Sequence, residues 1–243
     1  MHDSLGDRIK QNYEDRTRTS LPRRTYTIIR LDGKAFHSFK KHFQSPYDSD
    51  LRNTMCIASN ILLYNIQGAQ FAYVQSDEIS ILLTDFATRN TQAWFDGNLQ
   101  KMVSVASSIL SVNFNHLLTD PLIPDRLQPL IGRAYFDARA FTIPDRVEVE
   151  NYFIWRQKDC YRNAVNGVGQ HLFNPKELHG KNIHEVCNMI TEKGMAPITF
   201  PKDFIWGTLV LRKEGFDYKL PAREWVSNRQ DLADLIPNPG YGE

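Results

Sequence analysis

Apolar residues along this chain recur with two different periods, and the switches between them mark its elements. From Tyr26 to Ile29 every position is β-branched or aromatic, and the run to Leu31 suits a pleated strand. Leu51, Met55, Ala58 and Leu62 follow at intervals of four, three and four, one apolar stripe of a helix. Residues 71–74 and 79–83 read as two short strands with a bend at Ser76-Asp77. A second helix is expected over about residues 98–117. Leu99, Met102, Val103, Ala106, Ile109 and Leu110 face inward there, and Lys101, Ser104 and Ser108 form a small polar face. Residues 121–133 are proline-rich and irregular, and 134–142 read as a strand. The order strand, helix, two strands, helix, strand predicts an α+β fold of the ferredoxin-like kind, an antiparallel sheet backed by helices.

Around this core, residues 1–20 read as a polar helix ended by Pro22, and 37–50 as a loop carrying Pro46. Residues 1–145 are expected to form the core with its N-terminal helix. Residues 146–243 then form a helical and β elaboration packed on it rather than an independent domain. A helix over 147–172 brings Arg156, Asp159, Asn163, Asn166 and Gln170 onto one polar stripe, either a solvated face or a contact for an RNA end or a second subunit. Asn182 with Glu185 resembles a capping box, and Gly194 would close that short helix. The Pro- and Gly-rich end, residues 237–243, is expected to fray.

Composition narrows the partners. Of 243 residues 29 are Lys or Arg and 28 Asp or Glu, so a net charge of +1 excludes a polycation and leaves RNA contact to local patches. Residues 1–41 hold one such excess, ten basic against five acidic side chains. Cys56, Cys160 and Cys187 are odd in number and irregularly spaced, which argues against a disulfide framework and suits a reducing cytoplasm. His179, His184 and Cys187 lack the spacing of a zinc site, since only two can share a helical face. Residues 1–10 are polar, unlike a signal peptide, and no apolar run is long enough to span a bilayer.

Two carboxylate sites carry the chemistry. Asp32 precedes Gly33 at the end of the first strand, where glycine lets a phosphate approach the backbone; Asp-Gly is also a common turn pair. Asp77 and Glu78 stand at the bend between two strands, where an unpaired carboxylate is costly. A divalent cation is one partner for two strand-end carboxylates, and Mg²⁺ is held by one or two carboxylates together with substrate phosphates. Two such ions can clamp the attacking and leaving oxygens of a phosphoryl displacement, so Asp32 with Asp77 suggests a palm-type nucleotidyl-transfer site.

The ordered set Arg30-Leu31-Asp32-Gly33-Lys34-Ala35-Phe36-His37, Gln75-Ser76-Asp77-Glu78, residues 101–107 and Trp155-Arg156-Gln157-Lys158-Asp159 with Asn163 resembles the tRNA-histidine guanylyltransferase superfamily. Residues 175–181 are similar to its bacterial, archaeal and phage "like protein" branch, and the match runs from about Arg8 to Arg212. The resemblance implies a polymerase/cyclase-type palm that adds nucleotides in the 3′-to-5′ direction. It implies two Mg²⁺ ions on Asp32, Asp77 and the Gly33 carbonyl, with Glu78 in support. The triphosphate would be held by Ser76, Asp77 and residues 32–37, that is Asp32, Gly33, Lys34, Ala35, Phe36 and His37. Arg30 and Lys101 match phosphate-neighbouring basic residues, and Asp32, Asp77, Glu78 and Lys101 are the catalytic candidates. ATP and GTP are the implied substrates, the tRNA 5′ end and acceptor stem the partner, and a homotetramer the assembly; Arg156, Tyr161 and Asn163 are candidates for tRNA contact. Two departures stand out. A lysine of eukaryotic members is Ser45 here, with Lys40 or Lys41 as nearest substitutes, and their His-Ile-Asn-Asn run is Tyr161-Arg162-Asn163-Ala164. Repair of 5′-truncated tRNA is therefore expected over strict G addition to tRNA-histidine. A nucleotide cyclase and a silent RNA-end-binding module are the alternatives.

Overall fold

Strands β1 (Tyr26–Gly33), β2 (Ala69–Gln75), β3 (Glu78–Leu83), β4 (Phe136–Ile143), β5 (Thr208–Leu211) and β6 (Tyr218–Pro221) make one antiparallel sheet in the order β4-β1-β3-β2-β5-β6. The computed structural model describes residues 4–212, 218–222 and 224–239, with backbone alone at Lys40, Ile198 and 218–221. Helix α1 (Ser4–Ile9) runs through a π-turn and a 3₁₀ turn to Thr17 and buries no residue. It is followed by α2 (Ser49–Asn65), α3 (Leu99–Leu117), α4 (Arg146–Leu172), α5 (Pro175–Leu178), α6 (Ile183–Glu192), α7 (Lys202–Trp206) and α8 (Arg229–Ala233). The first four strands with α2 and α3 are the ferredoxin-like palm that the periodicity predicts.

Strand alternation sends β1 to two cores. Ile29 and Leu31 pack under α2 and α3 with Met55, Leu62, Ile79, Ile81, Met102, Ala106 and Leu110. Tyr26 and Ile28 face the other way, into a cluster with Phe71, Tyr73, Leu82, Val149, Phe153 and Trp225 under α4. Side chains this size contribute roughly 1.5–3 kcal/mol each on full burial, so both faces of the sheet are committed. The next residues with the parity of Ile28 are Arg30 and Asp32, and they come out on the α4 face.

Helix starts follow local chemistry. Asp48 accepts the N–H groups of Asp50 and Leu51 ahead of α2, Asn98 that of Lys101 ahead of α3, and Asp145 that of Glu148 ahead of α4. Asn182 and Glu185 form the expected capping box of α6, and Gly194 lies just past its end with φ 82°. Three expectations need correction or limit. The stretch 37–50 opens with a 3₁₀ segment, Phe36–His42. The C-terminal elaboration gives the sheet two further strands, β5 and β6, each four residues long and too short to register a period. Residues 1–3 of the expected first helix and 240–243 of the expected frayed end lie outside the described residues.

Candidate active site

Asp32 and Glu78 are register partners on β1 and β3, and Asp77 occupies the turn into β3, so the sheet itself gathers the three carboxylates. Ser76 turns the chain there with φ 50°, a left-handed conformation that costs a non-glycine residue about 1 kcal/mol or more. Gly33 explains the close approach. A Cβ at that position would lie 2.4 Å from the Phe36 ring and 2.7 Å from Asp77 Oδ2, so only glycine lets the Asp77 carboxylate lie against the β1 backbone. Burial pushes the Asp77 carboxyl up to about 6, and the charge of Asp32 adds to the effect. Asp32 is raised by burial and then by Asp137, its register partner on β4, against the opposing charges of Arg30, Arg139 and Arg156.

Glu78 is held differently. Arg156 of α4 donates from Nε to Oε1 at 2.8 Å and from Nη2 to Oε2 at 2.7 Å, Gln75 donates at 3.1 Å, and Arg30 Nε lies 4.0 Å away. The same guanidinium reaches Asp159 at 2.9 Å and lies over the Trp155 ring, 4.5 Å from its centre. A bidentate, nearly buried pair of this kind fixes orientation as well as charge. Glu78 is thus neutralised by protein, whereas among the described residues no cation pairs with Asp32 or Asp77 in this way. Among the described residues no group of three or more His, Cys, Asp or Glu is placed to hold a metal unaided. The donor set that remains, two carboxylates and backbone oxygen open to a phosphate, is the sparse kind that suits Mg²⁺.

A cleft of about 670 Å³ opens from the pair. One wall is Asn163, Asn166 and Gln170 of α4, and the other is the loop 43–48 with Asp203 and Phe204 of α7. The C-terminal end of the loop is pinned on two sides. Arg126 donates to both oxygens of Asp48 at 2.8 and 3.1 Å and to Asp50 at 2.5 Å, while Asp203 accepts from Tyr47 at 2.7 Å and pairs with Arg52 at 2.6 Å.

Of the residues singled out by sequence, Arg30, Asp32, Gly33, Ser76, Asp77, Glu78 and Arg156 come together here. Lys34, Ala35 and His37 are exposed beside them, but Phe36 is core, packed on Phe39, Phe114 and Phe136, and can offer a nucleotide only its backbone. Lys101 opens α3 next to Met102, which shares a small cavity with Thr27 and Leu83, five register steps and about 17 Å along the strands from Asp32 and Glu78. Arg156, a candidate for tRNA contact, is 5% exposed and its guanidinium is taken up by Glu78. Tyr161 stacks on Trp206 at 5.2 Å with its hydroxyl near Cys187, whereas Asn163 does line the cleft. Lys41 is exposed and the Lys40 side chain lies outside the description. Sequence reading missed Asp48, Arg52, Arg126, Asp137 and Asp203, whose partners are distant in the chain; the Asp-x-Asp of residues 48–50 before a helical stripe was the available signal for one of them.

The family model described as "tRNAHis guanylyltransferase" matches residues 6–144. The chain is 34% identical over 209 residues to an uncharacterized protein of Acanthamoeba polyphaga mimivirus, covering 79% of this chain and 71% of the relative. It spans about half the length of the Debaryomyces hansenii and Schizosaccharomyces pombe tRNA(His) guanylyltransferases that it also matches. Among solved structures, a bacterial tRNA(His) guanylyltransferase-like protein in complex with ATP superposes with a TM-score of 0.86 at 35% identity, covering 96% of this chain and 99% of that one. A bacterial tRNA(His) guanylyltransferase-like protein in complex with GTP gives 0.76 at 32% identity, with 96% and 99% covered. With a family match over more than half its length and the strand-end carboxylates gathered as the palm requires, the chain belongs to the tRNA(His) guanylyltransferase family of nucleotidyltransferases.

Proposed function

We propose that this protein adds nucleotides in the 3′-to-5′ direction to the 5′ ends of truncated tRNA, using Mg²⁺ and copying the opposite strand. The observation that carries the reading is the pair Asp32 and Asp77, two carboxylates drawn together around Gly33 with no ion-pair partner among the described residues. Asp32, Asp77 and the Gly33 carbonyl would hold the metal, and Mg²⁺ bound there supplies charge neutralisation for an in-line phosphoryl transfer. The 3′-hydroxyl of the incoming nucleotide attacks the activated 5′ phosphate; the new phosphodiester forms as AMP leaves an adenylylated end, or pyrophosphate leaves a triphosphorylated one. Arg30, on the same face as Asp32, supports the phosphates. The cleft beyond the carboxylates offers the amides of Asn163, Asn166 and Gln170 to a base or ribose, hydrogen-bonding groups suited to an RNA end. ATP and GTP as substrates are supported by the two bacterial relatives that bind them. A homotetramer, with residues 1–145 as the catalytic palm, completes the reading.

The test is incubation with Mg²⁺, labelled GTP and a tRNA lacking its first nucleotide. Extension of the 5′ end, dependent on the opposing base, is expected on both 5′-monophosphate (with ATP) and 5′-triphosphate ends. A folded protein that extends neither ends the proposal, and a cyclic nucleotide formed without RNA would transfer the site to the cyclase reading.

A further inference from the structure

One edge of the sheet is left open. β4 pairs with β1 alone, and no described residue pairs with its other side. The backbone parity is fixed: Lys34 donates its N–H to the Tyr135 carbonyl, so the odd-numbered residues of β4 turn their backbone groups to β1. Phe136, Ala138 and Ala140 turn theirs outward, and the Phe136 N–H accordingly goes to Ser111 Oγ on α3. An eight-residue edge of this kind invites another strand unless it is blunted. The charges it carries, Asp137 and Arg139, are 59% and 54% exposed and lie 3.7 Å apart on the α4 face.

We propose that this edge pairs with the same edge of a second copy, antiparallel, about a two-fold axis through Ala138. Parity and charge select the same register. Centred on Ala138, the two copies exchange N–H···O bonds between their Ala138 residues, the outward-facing kind, and each Asp137 stands opposite Arg139 of the other copy. Centring on Asp137 or Arg139 would set like charges against each other and would present the backbone groups already used by β1. Opposite charges directly across a pair of strands stabilise it, and like charges oppose it. The flanks leave room for the second copy. Ser104 and Ser108 of α3 fold their hydroxyls back onto the carbonyls of Gln100 and Ser104, so that side of the helix is low. On the other layer Tyr152 packs on Phe141 of β4 and on Trp155, which therefore overhangs the β4 side of α4, 52% exposed, as a large apolar surface to cover. The axis also reverses the second sheet, so its α3 N-terminus, with Lys101, is carried past the end at which Asp32 and Asp77 of the first copy lie.

The interface is tested by charge reversal, independently of catalysis. Native mass is measured by size exclusion with light scattering over a range of concentrations, with far-UV circular dichroism to confirm folding. Asp137→Arg and Arg139→Asp are each expected to halve the wild-type mass, raising the concentration for half-dissociation about tenfold or more. The double variant D137R/R139D restores the charge pairs in reverse and should regain the wild-type mass. Mixing the two single variants in equal amounts should also restore it, because each supplies the complement of the other. A wild-type protein that is monomeric throughout, or folded single variants with wild-type mass, would overturn the proposal. So would single variants that dissociate but are rescued by neither the double variant nor the mixture.

Discussion

At the scale of single residues, Asp77 is the group whose environment is least comfortable without a cation. Its carboxyl titrates near 6 in the fold against 3.8 when unfolded, so the metal-free native state binds the extra proton between those values. Stability from this group is complete below about pH 4 and is lost as the pH rises through 6, about 3 kcal/mol in all. Asp77→Asn is therefore expected to raise the Tm of metal-free protein at pH 7.5 while abolishing nucleotide addition. Thermal melts at pH 4.5 and 7.5 check this, and a variant no more stable than wild type at pH 7.5 would refute it. Arg156 presents the opposite case. Arg156→Ala leaves Glu78 without its bidentate partner and should cost about 3–5 kcal/mol in urea unfolding, part of which Glu78→Gln restores in the double variant. That buried pair was hidden in the sequence. Arg156, Asp159, Asn163, Asn166 and Gln170 share a polar spacing that looks the same whether its members face water or carboxylates. The structure pairs the first two with each other at the base of the cleft and leaves the rest along its wall. Asp32, Gly33 and Asp77 were legible because each combines an unusual residue type with a strand end.

Between elements, the site depends on spaces only small residues can leave. Gly33→Ala drives a methyl group into the Phe36 ring and against Asp77, so the β1 end and the turn into β3 must part. It should abolish addition and cost about 1–3 kcal/mol, measured by initial rates with both kinds of 5′ end and by chemical unfolding. The loop 43–48 is held to α7 by Arg52 and Tyr47 on Asp203. Arg52→Ala should raise the KM for nucleotide, as a wall of the cleft is released, while the carboxylates at its far end remain in place. An unchanged KM in a folded variant would show that the wall is positioned by its Asp48–Arg126 anchor alone. Helix and strand order were readable from periodicity, since α2, α3 and α4 run long enough to repeat their apolar spacing. β5 and β6 were not, because four residues hold two turns of the strand period and no more.

Across the whole molecule, the catalytic palm and the C-terminal half share a core. Phe71 and Tyr73 of β2 are covered by Phe153 and Trp225, the Tyr73 hydroxyl donates to the Trp206 carbonyl, and Gln157 donates to that carbonyl and accepts the Trp225 N–H. A fragment of residues 1–145 would expose that face, and it is expected to be insoluble or molten, with no cooperative unfolding transition by calorimetry; a cooperative melt would assign the palm independent stability. The position of β2 adds a temporal consequence. Its free side is filled by β5, through pairs such as Val74 with Thr208 and Phe71 with Leu211, which join parts of the chain far apart in sequence. A chain emerging from the ribosome completes the carboxylate-bearing turn early, yet it must carry the bare flank of β2 until almost the last strand has been made. Loop closure over so long a separation is slow, and an apolar strand edge left open meanwhile is a template for aggregation. Yield of soluble protein should thus respond to the rate of translation and to chaperone supply more than the stability of the finished molecule would suggest.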